Sequence, residues 1–331
     1  MSANPFQVVI LDDFERLAAT VPAYEQLSAK ADVAVLNERL DTSEKIVERL
    51  RDADAILLMR ERTWLSDTEY GRLPKLKFIS QTGRTSRHLD LAAATRRGIA
   101  VAGTPADDGT STKELTIGLI IALLRQIPQV DRRMREEIWP PLAGRLLKGK
   151  TTGVLGFGRI GMEVARLLKA FDARVLAFSR TLTNARAAAV GAERVPLETL
   201  LKESDVLTIH VPFNAETRAL IGERELALMK PGAMLVNTAR GPIVSEPALI
   251  EALRRGRLGG AALDVFDTEP LPLDHPLRSL SNVILLSHRG YATIEVLRER
   301  YQEAMENILS FIEGDLPPLL NPEVETRARK G

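Results

Sequence analysis

Residues 152–161 read Thr-Gly-Val-Leu-Gly-Phe-Gly-Arg-Ile-Gly, an apolar run that closes on the pattern Gly156-x-Gly158-x-x-Gly161. The next stretch, MEVARLLKAF (162–171), has helical spacing, and a second apolar run, RVLAFS (174–179), follows it closely. Such a glycine pattern alone says little. Between a strand and a helix, with a further strand behind, it is the turn that binds a dinucleotide pyrophosphate. Gly156 permits the tight turn, Gly158 lets the backbone approach the phosphates, and Gly161 lets helix and strand pack closely. Arg159 and Ile160 open the helix, whose N-terminal N–H groups and dipole favour an anion. A structural turn without ligand is the alternative, and the strand–turn–helix–strand context argues against it.

The end of the second strand bears on which dinucleotide is used. An NAD site usually carries Asp or Glu there, about 20 residues past the loop, for the ribose hydroxyls. This chain has Phe178-Ser179-Arg180-Thr181 instead. Ser179 and Arg180 suit the 2′-phosphate of NADP. Equally, Arg180 is read as a solvated residue, or one stacked on adenine, with NAD bound, so NAD and NADP both remain open.

Working outward, short apolar runs continue at 206–210, 234–237, 260–265 and 283–287, and before the loop at 7–11, 33–36, 55–59, 78–80 and 99–101. Amphipathic stretches such as 43–51 and 90–97 lie between them. This alternation predicts an α/β protein with parallel sheets covered by helices. Two apolar-rich helices are expected at 113–127 and 293–313. The first is apolar almost all round and is expected to be buried between domains or subunits. The second carries Leu297, Tyr301, Met305, Ile308 and Ile312 as one stripe, read as core packing.

In open α/β sheets ligands bind outside the carboxyl ends of the strands. Arg240 follows MLVNTA, Glu269 follows AALDVFD, and His288 ends VILLS. Each alone has an ordinary reading: a solvated arginine, a turn glutamate, a capping histidine. Together, on the sheet that carries the glycine loop, they make a reaction centre. An arginine fork holds a carboxylate and polarises an adjacent ketone, a histidine supplies the proton, and a carboxylate beside it orients the ring.

The bulk numbers exclude other classes. The 331 residues suffice for two domains, 45% are hydrophobic and 27% charged, and the net charge is +1. No basic field argues for nucleic acid or an anionic membrane. There is no cysteine, which removes disulfides, thiolate catalysis and cysteine-ligated metals and suits a cytoplasmic protein. The apolar stretch at 117–124 is far short of the roughly 20 residues of a membrane span. The start, MSANPFQVVILDD, reads as a first strand and not a signal peptide. No metal-ligand spacing is evident, so none is expected.

These motifs resemble those of the D-isomer-specific 2-hydroxyacid dehydrogenases, the family that includes phosphoglycerate dehydrogenases. The stretches are VLGFGRIG (154–161), TIHVPFNAETRALIG (208–222), LMKPGAMLVNTARGPIVSEPAL (228–249), AALDVFDTEPLP (261–272) and SHRGY (287–291). The resemblance runs from LLMRERT (57–63) to LLNPE (319–323). It implies two doubly wound parallel-sheet domains, a Rossmann cofactor domain (104–288) inserted in a flavodoxin-like substrate domain (1–103 plus 289–331). It implies Arg240 as substrate-binding and polarising residue, His288 as acid/base and Glu269 as its partner. Asp264 and Gly290, with Thr238 and Ala239, are implied at the nicotinamide end. Arg60 matches a substrate-contacting position, and Gly83 and Arg84 lie where backbone N–H groups are expected to meet the substrate carboxylate. With Arg60 and Arg62 after one outer strand, an anionic pocket with Arg84 is expected.

Departures bear on the substrate. Family members often have Pro before the histidine and a Gly pair after it, where this chain has Ser287-His288-Arg289-Gly290-Tyr291. The family's Gly-rich outer loop is here Gln81-Thr82-Gly83-Arg84-Thr85-Ser86-Arg87-His88-Leu89-Asp90. The expected function is an NAD(P)-dependent D-2-hydroxyacid dehydrogenase or 2-oxoacid reductase. Candidate substrates are 3-phosphoglycerate/3-phosphohydroxypyruvate and glyoxylate/hydroxypyruvate, and a homodimer is expected. The alternatives are an NAD(H)-binding, corepressor-like sensor and a phosphite-type dehydrogenase. Glu269 disfavours a formate enzyme, which usually has an amide there.

Overall fold

A computed structural model describes residues 5–84, 86–105, 108–136, 138–139 and 141–324. The ends of the expected substrate domain, 1–4 and 325–331, lie outside the described residues, as does Thr85 in its loop. The chain forms two compact units, Met1–Asp107 with Thr293–Gly331, and Asp108–Ala292.

The first unit is built on β1 (Phe6–Ile10), β2 (Ala31–Val35), β3 (Ala55–Leu58), β4 (Phe78–Gln81) and β5 (Ala100–Gly103). Their order is β2-β1-β3-β4-β5, all parallel. This is the flavodoxin-like order, whose strand sequence reverses between β1 and β3. β3 and β4 are buried at every residue, as strands covered on both faces must be. One cover is the helix Ile294–Ile312, which buries Leu297, Tyr301, Ala304, Met305 and Ile308 and stacks Phe311 on Phe78 at 4.5 Å. Ile312, the end of the expected stripe, is only half-buried. The chain beyond the helix is tied to β5 by Asn321. Its Oδ1 accepts the Val101 N–H at 2.8 Å, and its Nδ2 donates to the Ile99 carbonyl at 2.9 Å.

The second unit holds β6 (Thr151–Leu155), β7 (Arg174–Phe178), β8 (Glu193–Arg194), β9 (Val206–Ile209), β10 (Ala233–Asn237), β11 (Leu258–Leu263) and β12 (Val283–Leu285). The order is β12-β11-β10-β9-β6-β7-β8, again parallel throughout. Its winding reverses between β6 and β9, the crevice where doubly wound sheets bind ligands. β8 escapes the sequence pattern because it is two exposed residues at the sheet edge.

The helix expected at 113–127 differs in extent and in setting. It runs Thr110–Arg125 and stops at Gln126, whose φ of 56° lies in the left-handed region; a second helix, Ile127–Arg135, starts there. Its apolar residues are not reserved for a domain or subunit boundary. Ile117, Leu119, Ile120, Leu123 and Leu124 pack in the unit's own core with Val154, Val164, Val236 and Ala262. A helix laid on a sheet and flanked by another helix is covered on most sides, which explains its nearly unbroken apolar surface.

His88 of the first unit is buried, and His210 of the second is half-buried. His88 is 1% exposed, and its ring nitrogens have no hydrogen-bond partner among the described residues. Burial pushes its imidazole down to about 4, against the pull of Glu61. His210, just past β9, shares a 2.9 Å hydrogen bond between Nε2 and the Thr208 hydroxyl, and burial likewise lowers it to about 4. Both rings are neutral when folded and titrate near 6.5 when unfolded. Below that value the unfolded chain binds more protons, so stability is complete above about 6.5 and is lost as the pH falls towards 4. At pH 5 each ring then costs about 2 kcal/mol relative to neutral pH. Urea unfolding followed by circular dichroism should show the midpoint falling between pH 7 and 5, and falling less in His88→Gln. An equally steep fall in the variant would contradict this origin.

Candidate active site

The glycine turn sits between β6 and the helix Arg159–Ala170. Gly156 has φ 97°, and a Cβ there would lie 2.5 Å from the backbone of His210 and Val211, so turn and β9 end meet backbone to backbone. A Cβ on Gly161 would collide with the Gly156 carbonyl. Gly158 differs: nothing lies within 4 Å of its Cβ position, and it is exposed. Two of the three glycines therefore serve the fold, and the third leaves open space in front of a helix N-terminus, as a pyrophosphate requires. Arg159 is exposed there, and Ile160 is half-buried.

Past β7, Ser179 is half-buried and Arg180 exposed. The Arg180 guanidinium is ion-paired with Glu216. A further arginine, Arg186, lies over the same turn and donates to the Phe157 carbonyl at 3.3 Å. Its place in the ordinary helix Asn184–Ala188 gave no sign of this.

The ends of β10, β11 and β12 carry the polar cluster. After β10 the backbone runs through buried Thr238 and half-buried Ala239 and Arg240. Asn237, 1% exposed, shapes this turn: its Oδ1 accepts the Ala239 N–H at 3.0 Å and its Nδ2 donates to the Arg240 carbonyl at 2.9 Å. Gly241 lets the turn approach the next one, since a Cβ there would collide with the Phe266 carbonyl group. The Arg240 guanidinium donates to the Ala239 carbonyl at 2.7 Å, and its charge reaches Glu269.

Glu269 accepts from the Phe266 N–H through Oε1 at 2.9 Å, and its Oε2 meets His288 Nδ1 at 2.7 Å. Burial opposes its ionisation, but the His288 bond and charge, the Phe266 N–H and Arg240 outweigh that and hold the carboxyl below its usual range. His288 itself has φ 56°. A non-glycine residue keeps that strained conformation only when its surroundings enforce it. Here Asp264, 1% exposed, accepts the next two backbone N–H groups, Arg289 at 2.6 Å and Gly290 at 2.7 Å. Burial raises the Asp264 carboxyl above its usual value, against those two N–H groups and the His288 charge. Thr112 completes the clasp by donating to the Gly290 carbonyl at 2.9 Å, while Thr116 on the same helix meets Thr238 at 3.1 Å. Thr112 and Thr116 were not legible as site residues, because their partners lie on other elements.

The first unit holds the remaining candidates. Arg60 follows β3 with φ 58°, its backbone N–H bound to the Thr82 hydroxyl at 2.8 Å. Gly83 follows β4 with its N–H given to the Thr104 hydroxyl at 2.9 Å. Arg84 is exposed. Arg62 belongs to structure: it forks onto Glu15 at 2.8 and 3.0 Å and donates to the Asp12 carbonyl at 2.6 Å. His275 is bound to Glu246 at 2.9 Å. Among the described residues no cluster of three or more His, Asp or Glu side chains could hold a metal ion, and no helix is long and apolar enough to cross a membrane.

The glycines give a direct test. Gly161→Ala should destabilise the protein by about 3 kcal/mol or more, since backbone must move. Gly158→Ala should leave the melting temperature unchanged and weaken NADH binding about tenfold, on the order of one lost hydrogen bond. Equal thermal losses in both would refute this division of roles.

Comparison with known proteins agrees with this geometry. Residues 117–290 match the D-isomer specific 2-hydroxyacid dehydrogenase family, NAD binding domain. A glyoxylate reductase of Thermofilum pendens is 40% identical over 315 residues, 92% of either chain. A D-3-phosphoglycerate dehydrogenase of Methanocaldococcus jannaschii is 38% identical over 278 residues, 83% of this chain and 53% of that one. Among solved structures, a phosphoglycerate oxidoreductase from Vibrio cholerae superposes with a TM-score of 0.87 at 31% identity, covering 93% of this chain and 99% of that one.

Proposed function

This chain belongs to the D-isomer specific 2-hydroxyacid dehydrogenase family, and we propose that Arg240, Glu269 and His288 are its catalytic group. It is an NAD-dependent oxidoreductase acting on 2-hydroxy acids, with glyoxylate, hydroxypyruvate and 3-phosphohydroxypyruvate as candidate substrates on the reductive side. The observation that carries the catalytic assignment is the 2.7 Å bond between His288 Nδ1 and Glu269 on the strand ends that also bear Arg240.

NADH bound at this turn would supply a hydride to C2 of the oxo acid. The chain's own groups do the rest. The Arg240 fork binds the C1 carboxylate and draws electron density from the C2 carbonyl. Glu269 takes the Nδ1 proton of His288 as a hydrogen bond, so Nε2 is the nitrogen that gives its proton to the carbonyl oxygen as it becomes an alkoxide. In the oxidative direction Nε2 takes that proton back. Gly158, Arg159 and Ile160 would hold the pyrophosphate on a turn shaped by Gly156 and Gly161, and Thr238, Ala239 and Gly290 would border the nicotinamide. Asp264, with both oxygens on backbone N–H groups, acts through the turn that presents His288. Arg60, Gly83 and Arg84 contribute to substrate binding.

His288→Gln should lower kcat by roughly 10²–10⁴, the usual worth of a general acid, with NADH affinity unchanged. Retained turnover would remove His288 from its role. Reduction of glyoxylate, hydroxypyruvate or 3-phosphohydroxypyruvate by the purified protein separates the enzyme from a corepressor-like sensor. On the cofactor, the pair Arg180–Glu216 is exposed on both sides, and such pairs are worth about 1 kcal/mol or less. A 2′-phosphate can displace Glu216, so NADPH should serve within about tenfold of NADH in kcat/KM, a gap of about 1.4 kcal/mol. A preference for NADH above a hundredfold would leave Arg180 as a surface residue.

The same reading includes a homodimer. Beyond Gln126 the chain exposes Ile127, Met134, Ile138, Trp139, Leu142 and Leu146, with Trp139 85% and Leu146 71% exposed. Large apolar side chains gathered in one short segment mark an association surface. Sedimentation should give a dimer at micromolar concentration, and Trp139→Ser with Leu146→Ser should shift it to monomer. A wild-type monomer would contradict this.

A further inference from the structure

We propose that Glu246 and His275 are positioning residues whose hydrogen bond sets the spacing between Arg240 and Glu269. This rests on the reading of Arg240, Glu269 and His288 as the catalytic group and deepens it. All of these residues belong to the unit Asp108–Ala292. The chain leaving Arg240 passes through Gly241–Ile243 into the helix Glu246–Arg254. The chain leaving Glu269 runs to His275, which caps the short helix Pro276–Ser279. There His275 Nε2 lies 2.9 Å from Glu246 Oε1, with the two side chains only 14% and 18% exposed. His275 Nδ1 accepts the Leu277 N–H at 3.3 Å, so Nε2 carries the proton and donates it to Glu246.

The two turns already meet where Gly241 lies against the Phe266 carbonyl group. One point of contact is a pivot, and a second one fixes the angle about it. Packing is thin where that second contact is needed. A cavity is bordered by Asn237 and Gly241 at the Arg240 turn and by Glu246 and Leu277 at the pair. Atoms that face a void lack the contacts that would hold them, so the hydrogen bond carries the constraint. The segment between Glu269 and His275 is stiff enough to transmit it. Arg278 donates to the carbonyls of Leu271 and Pro272, each at 2.8 Å, and the His275 N–H donates to Pro272 at 3.2 Å. Pro270, Pro272 and Pro276 each fix a backbone φ. Burial and then the charge of Glu246 raise the Asp267 carboxyl above its usual value, against Arg218 and His275. The pair therefore lies within electrostatic reach of the Glu269 turn. A shift of about 1 Å in a reacting group can cost roughly 10² in rate, so a tie of this kind governs kcat.

The test uses His275→Asn, whose side-chain oxygen can still cap the Leu277 N–H but which ends short of Glu246. With glyoxylate and NADH it should lower kcat by about tenfold to a hundredfold and change NADH affinity less than about twofold, on the scale of a distant site. Glu246→Ala should behave like His275→Asn, and Glu246→Gln, which keeps an acceptor for Nε2, should recover most of kcat. In a Glu269→Gln background the further loss from His275→Asn should be less than about twofold, because residues that act through one another are not additive. Hydrogen exchange supplies a readout without turnover: in His275→Asn, peptides over 238–245 and 265–274 should exchange faster together, and the glycine turn at 152–161 should not change. An unchanged kcat, a fully additive loss beside Glu269→Gln, or unchanged exchange in the two turns would overturn the proposal. If the wild type reduces glyoxylate and His275→Asn does so equally well, the enzyme reading stands and the positioning role falls. If the wild type reduces no 2-oxo acid but both turns loosen together in the variant, the tie stands and the enzyme reading falls.

Discussion

The buried carboxylate of Asp264 holds together the polar cluster proposed as the reaction centre. By accepting the N–H groups of Arg289 and Gly290 it fixes the turn after β12. That turn keeps His288 at φ 56°, which an isolated chain would avoid. The conformation brings the imidazole to Glu269, whose other oxygen is anchored on the Phe266 N–H after β11. Thr112 fixes the Gly290 carbonyl from the helix Thr110–Arg125, and Thr116 of that helix reaches Thr238 on the arginine turn. A rigid element therefore supports both turns, the support that the proposed catalytic group would need to keep a fixed geometry.

The parallel sheets explain why such turns gather at one edge. In a parallel sheet every strand delivers its carboxyl end to the same side, so Arg240, Glu269 and His288 arrive together although they span 49 residues of sequence. The glycine turn lies where the winding reverses between β6 and β9, and its two folding glycines let helix, strand and neighbouring turn meet at backbone distance. The same geometry recurs in the first unit, where Arg60 and Gly83 leave adjacent strands.

Much of this was legible beforehand. The strands buried on both faces announced themselves as apolar runs, and the glycine turn, Arg240, Glu269 and His288 each occupied a strand end. The helix at 113–127 was legible as a helix but not in its setting. An apolar surface says that something covers it, and not whether the cover is the helix's own sheet or another body. Pro128 marked an end near residue 127, but the left-handed turn at Gln126 that starts a second helix did not show in the spacing. The stripe on Ile294–Ile312 was read correctly as core, yet that reading concealed Arg300, which shares the buried face.

Sequence alone determined the α/β class, the place of the dinucleotide turn and the chemistry available at the strand ends. Those properties reside in local spacing: a strand, a turn and a helix are specified by residues a few positions apart. Tertiary structure decided which polar groups serve one another. Asp264 with the Arg289–Gly290 turn, Thr112 with Gly290, Thr116 with Thr238, and Arg180 with Glu216 are all encounters between separate elements. Hydrogen bonds and ion pairs act over about 3–4 Å, and which side chains come within that range is fixed only when the sheets close and the helices pack on them.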